Sequence, residues 1–76
     1  SWIRSVQKNK EERWIEILAL REAMQRLNSR EKNIIELRFY EGKTQMEVAQ
    51  EIGISQAQVS RLEKNALKSM RNYLRP

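Results

Sequence analysis

TQMEVAQEIGISQAQVSRLEK, residues 44–64, decides the fold of this 76-residue chain. Thr44 is followed three residues on by Glu47, and Ser55 by Gln58. Each pair has the spacing of a capping box, in which the first side chain accepts from the third residue's backbone N–H and the third side chain reaches back. Between the two helix starts lies Glu51-Ile52-Gly53-Ile54-Ser55, where Gly53 can take positive φ without a Cβ penalty, end one helix and aim the next. Two helices joined by a three- to four-residue turn containing glycine form a helix-turn-helix. Val48, Ile52, Ile54, Val59 and Leu62 are apolar at the spacing that closes a core between crossed helices, and Ala49 is small where the helices approach. A helical hairpin with no ligand is the plain alternative; a polar helix start and basic charge in the same place argue against it.

At 100° per residue, the helix that opens at Ser55 and runs to about Tyr73 carries Val59, Leu62, Ala66, Met70 and Tyr73 on one stripe. Ala57, Ser60, Arg61, Lys64, Lys68 and Arg71 cluster on the opposite side. From residue 55 onward Arg61, Lys64, Lys68, Arg71 and Arg75 stand against Glu63 alone, a net +4, whereas residues 1–54 have ten basic and nine acidic side chains. Such asymmetry points to a polyanion at the last helix, most often nucleic acid, with a merely solvated basic face as the bland reading. A recognition helix would set its N-terminal residues on base edges and its later Lys and Arg on phosphates. Gln56 lies off the centre of this face, yet its amide can reach a base, adenine by preference. Arg61 can bond guanine bidentately or a phosphate.

Upstream, Gly42 and Gly53 are the only glycines and Pro76 the only proline, so the interior reads as helix formers with two breaks. No stretch alternates with period two, and an all-α, four-helix domain follows. A first helix is expected from about Glu11 to Leu27, with Trp14, Ile17, Leu18, Leu20, Met24 and Leu27 as its apolar side. Asn28 with Glu31 has capping-box spacing and opens a second helix, about Ser29 to Glu41, that turns Ile34, Ile35, Leu37 and Phe39 or Tyr40 inward before Gly42 stops it. Trp2, Ile3 and Val6 in residues 1–10 fit either a helix start or a frayed arm.

The composition narrows function. No Cys, His or Asp is present. That removes thiolate and imidazole metal sites and leaves, of the usual acid–base groups, only ten Glu strewn along the chain, and the two glycines form no phosphate-cradling loop. No enzyme, metal or cofactor is therefore expected. Lack of cysteine fits a reducing cytoplasm, and no apolar run is long enough to span a membrane. Hydrophobic residues make up 39% and the mean hydropathy is −0.81, which describes a thin core.

LNSREKNIIELRFYEGKTQMEVAQEIGISQAQVSRLEKNALKSMRNYL, residues 27–74, resembles region 4 of bacterial sigma-70-type initiation factors, nearest the sporulation forespore group of the sigma-G and sigma-F kind. WIEILAL, residues 14–20, extends the resemblance over about 14–74 and leaves 1–13 as a linker or an expression-derived arm ahead of a DNA-binding domain at 14–76. The resemblance implies one module of a larger transcription factor, whose fourth helix lies in the major groove of double-stranded promoter DNA at the minus-35 element. Matched residue by residue, Gln56, Ala57, Ser60 and Arg61 fall at base-reading or base-adjacent positions, and Thr44, Lys64 and Lys68 at or beside phosphate-contacting ones. Housekeeping members have Arg and Glu where this chain has Gln56 and Ala57, so their sequence preference does not carry over.

The resemblance also implies docking on the β flap of RNA polymerase core and occlusion by an anti-sigma factor, with Leu37, Phe39 and Tyr40 as partner-docking residues and Trp14 and Ile17 as contributors. The first two helices hold more large apolar residues than one buried stripe each requires, so some are expected to be exposed, on a face distinct from Lys64 and Lys68. Two other readings stay open: the output domain of an activator or repressor that binds as a dimer on paired half-sites, and a protein-interaction module silent towards DNA. The isolated domain is expected to be monomeric, cytoplasmic and away from membranes.

Overall fold

A computed structural model describes the backbone of residues 2–75 and the side chains of residues 12–75. Four α-helices follow one another: α1, Trp2–Gln25; α2, Ser29–Ile35, which runs on into a π-helical turn, Glu36–Tyr40; α3, Gln45–Ile52; and α4, Gln56–Leu74. No strand occurs among the described residues, and the all-α reading holds. The side chains of Trp2, Ile3 and Val6 lie outside the described residues, while the α1 backbone runs through position 13 without a break.

All three expected capping boxes form. Asn28 accepts from the Glu31 N–H at 2.8 Å, Thr44 from Glu47 at 3.1 Å and Ser55 from Gln58 at 3.1 Å, and in each case the third side chain accepts from the cap's own N–H. Gly42 and Gly53 sit at φ +70° and +76°. At the second of these, the N–H groups of Gly53 and Ile54 both donate to the Ala49 carbonyl, at 2.9 and 3.1 Å. That pattern satisfies the carbonyl end of α3 while the left-handed residue turns the chain toward α4.

The single apolar stripe of α4 serves two clusters. Its first half, through Val59 and Leu62, closes on Ile34, Leu37, Val48, Ala49, Ile52 and Ile54. Its second half, through Ala66 and Met70, closes on Ala23, Met24, Leu27 and Ile35. Ile34, Val48 and Val59 are wholly enclosed, each contributing about 1.5–3 kcal/mol relative to exposure. The helix-turn-helix therefore shares its core with α2 and the π turn, and the described side chains of α1 pack on the far end of α4.

Several expected core residues are not in the core. Trp14, Ile17, Leu18 and Leu20 are exposed, and of the stripe proposed for the first helix only Met24 and Leu27 are buried, joined by Ala23. The reason is geometric: 24 residues of helix extend about 36 Å, and among the described side chains α4 covers only the C-terminal end of α1. Phe39 and Tyr40 also point out, at 57% and 69% exposure, because Phe39 lies two residues past the buried Leu37 and so falls near the opposite side of the helix. Leu37 itself is buried beside Val48 and Val59, and is corrected here from docking residue to core residue.

Candidate nucleic-acid interface

The Ser55 cap fixes the first turn of α4 and leaves its outer side open: Gln56, Ala57, Ser60 and Arg61 are all exposed. Lys64, Lys68 and Arg71 continue the same face, also exposed, and with Leu67 they line a shallow depression. From Gln56 to Arg71 this face spans about 22 Å at the helical rise. The structure thus brings six of the seven proposed DNA-facing side chains onto one side of one helix. Thr44, the seventh, caps α3 and is exposed: its Oγ1 accepts from the Glu47 N–H, and its hydroxyl also acts on the Glu47 carboxylate.

Glu63, the one acid in the last segment, does not face outward with the lysines. Its side chain is 13% exposed. It accepts from Arg38 Nε at 2.5 Å through one carboxylate oxygen and from Gln45 Nε2 at 3.2 Å through the other. Arg38 also donates through Nη1 to the Lys43 carbonyl at 2.7 Å. The outward face of α4 is therefore purely basic among its described charges, with its only carboxylate folded back and paired. Sequence reasoning passed over Arg38, Gln45 and Glu63. The available signal was a lone Glu one position from Leu62 at the edge of the apolar stripe, where a charge is half-buried and needs a partner.

Lys43, between the glycine stop and the α3 cap, bridges Glu51 at 2.5 Å and Glu41 at 3.7 Å. The hydrogen bond to Glu51, partly offset by desolvation and reinforced by both carboxylates, raises its pKa. The Glu47 carboxyl is held below its ordinary range, chiefly by the backbone N–H of Thr44, with the Thr44 hydroxyl and the Lys43 charge adding to the effect and desolvation opposing it. Lys43 is thus an internal tie of the turn, with its charge already matched.

A second surface is apolar. Leu20, Met24, Ile35, Phe39, Tyr40, Leu67 and Met70 line a groove of about 260 Å³ between α1, the π turn and α4. The Tyr40 hydroxyl reaches Met24 Sδ at 3.6 Å, and the Arg26 guanidinium lies 4.7 Å from the Tyr73 ring centre. Leu67 borders both the groove and the basic depression, so the two surfaces meet along α4. Among the described residues no cluster of metal-ligating side chains occurs and no helix is long and apolar enough to cross a membrane.

A capped α3, a left-handed glycine and an exposed polar-to-basic α4 define a helix-turn-helix domain of the nucleic-acid-binding class. Sigma-70, region 4, matches residues 23–72, and the chain belongs to that family. It is 67% identical over 66 residues to the RNA polymerase sigma-G factor of Bacillus subtilis, covering 87% of this chain and 25% of that protein. Identity to the sigma-G factor of Clostridium acetobutylicum is 58% over 67 residues, covering 88% and 26%. For the sigma-F factor of Bacillus licheniformis it is 55% over 64 residues, covering 84% and 25%. The chain thus spans about a quarter of the length of these curated relatives. No solved structure matches the chain significantly.

Proposed function

We propose that this chain is the promoter-reading C-terminal module of a sporulation-type sigma factor and recognises the minus-35 element as double-stranded DNA during transcription initiation. The observation that carries this reading is the outer face of α4, where four exposed residues of the first turns lead into an unbroken basic run whose only neighbouring acid is turned inward and paired. Gln56, Ala57, Ser60 and Arg61 face base edges, and Thr44, Lys64 and Lys68 hold phosphates. Residues 14–76 form the DNA-binding domain and residues 1–13 a linker or arm. The role is non-catalytic and is carried out in the bacterial cytoplasm.

Binding by the monomeric domain alone is weak, since a single module of this kind buries only about 600–1,000 Å² on DNA. Affinity is therefore completed by RNA polymerase. The exposed pair Phe39 and Tyr40, beside the apolar groove, favours docking there of the polymerase β flap, and of an anti-sigma factor in competition with it. The test is selection of duplexes from a random pool, followed by titration of the selected and a scrambled duplex across salt. The reading expects tighter binding of the selected duplex and an affinity that falls linearly in log salt. Equal affinity for both duplexes would overturn it.

A further inference from the structure

The apolar stripe that seats α4 is made of Val59, Leu62, Ala66 and Met70. Hydrophobic contact is non-directional. It sets which face of the helix turns inward, but base reading depends on finer rotation of the helix about its own axis. Hydrogen bonds are directional and add a sharper restraint on that rotation.

In this molecule they converge on one carboxylate. Glu63 sits two residues from Arg61 and next to Lys64. One of its oxygens is bonded by Arg38 from the π turn, the other by Gln45 from the first turn of α3. The same guanidinium holds the Lys43 carbonyl, immediately before the cap of α3. Three segments, the π turn, the approach to α3 and the recognition helix, are thus tied through Arg38 and Glu63.

Resting on the promoter reading above, we infer that Arg38, Glu63 and Gln45 are positioning residues that set the rotation of α4 and keep its only carboxylate away from the phosphates, so that DNA discrimination depends on them. A guanidinium is needed because one planar fork serves a carboxylate and a carbonyl together. A lysine has no such fork. Glutamine at position 63 keeps an acceptor for Arg38, and its amide can donate to the side-chain oxygen of Gln45 after that amide turns over. Alanine there keeps neither bond.

The experiment compares the 76-residue chain with Arg38→Ala, Arg38→Lys, Glu63→Ala and Glu63→Gln. Each folded fraction is measured by circular dichroism at the titration temperature. Affinities are then measured for a duplex selected by the wild-type chain and for a scrambled duplex, over a range of salt. The expected result is that Arg38→Ala, Arg38→Lys and Glu63→Ala lower the ratio of the two affinities about fivefold or more, the lower end of what one misplaced bidentate base contact costs. The salt slope on scrambled DNA stays unchanged in the two Arg38 variants, and Glu63→Gln keeps the wild-type ratio.

An unchanged ratio in folded Arg38→Ala and Glu63→Ala overturns the inference and leaves the tie purely structural. A salt slope reduced by about 0.9 in the Arg38 variants overturns it by making Arg38 a phosphate contact. Should a variant not fold, the Arg38→Lys and Glu63→Gln pair decides alone: loss in the first with retention in the second supports the tie, and any other pattern overturns it. A wild-type chain that fails to separate the two duplexes overturns the promoter reading and this inference together, whereas a discriminating wild type with equally discriminating variants removes only the inference.

Discussion

Replacing Gly53 by valine isolates the backbone's share in presenting the recognition helix. Gly53 stands at φ +76° and ψ +36°, and a Cβ built there meets nothing within 4 Å. The Cβ itself adds no clash, and the expected cost is conformational. An L-residue in the left-handed region costs about 1–2 kcal/mol, and a β-branched one reaches about 3. Against this, any non-glycine residue restricts the unfolded chain and returns about 0.4–1 kcal/mol. The net expectation is about 2 kcal/mol for Gly53→Val, less than about 1.5 for Gly53→Ala, and close to zero for Gly53→Asn, which tolerates this region. For a domain of this size each kcal/mol moves Tm by about 4–8 °C, so Gly53→Val should melt about 8–16 °C below wild type. Thermal unfolding followed by circular dichroism at 222 nm reads the series directly. Wild-type Tm for Gly53→Val would refute the argument. So would equal losses for Gly53→Asn and Gly53→Val, because the cost would then not arise from φ.

Arg61→Ala should lower affinity for the selected duplex by about 1–3 kcal/mol more than for a scrambled one; equal losses in a fluorescence-anisotropy titration would make it a phosphate contact. Lys64→Ala and Lys68→Ala should each weaken binding to every duplex and reduce the slope of log affinity against log salt by about 0.9. An unchanged slope would show that these side chains do not reach the backbone. Glu47 titrates below the ordinary carboxylate range because it caps Thr44, so its stabilisation of α3 is fully present above its unfolded pKa of about 4.3 and is lost as pH falls through the lower folded-state value. Amide exchange in α3 measured down that pH range should show the loss, and Glu47→Gln, which keeps the acceptor without the charge, should flatten it.

Local chemistry accounts for most of what could be read without coordinates. Asn28, Thr44 and Ser55 each meet their partner three residues away, and Gly42 and Gly53 stop helices because glycine takes positive φ with no Cβ penalty. These are short-range effects, complete within one turn of chain, so sequence alone determined the starts of α2, α3 and α4, the turn and the basic outer face of α4. The first helix, expected from about Glu11, begins at Trp2, where no capping-box pair in the sequence marks the start. Nor did sequence determine which apolar residues are covered. Periodicity shows that Trp14, Ile17, Leu18 and Leu20 are apolar, but burial needs a partner, and of the described side chains of α1, α4 reaches only those of the last turns. Phe39 and Leu37 carry equal hydrophobic signal, and only the packing of the π turn against Val48 and Val59 put one inside and the other out. The pairing of Arg38 and Gln45 with Glu63, across 25 and 18 residues of chain, was equally beyond the sequence. Such contacts depend on how three helices converge, which no local spacing encodes.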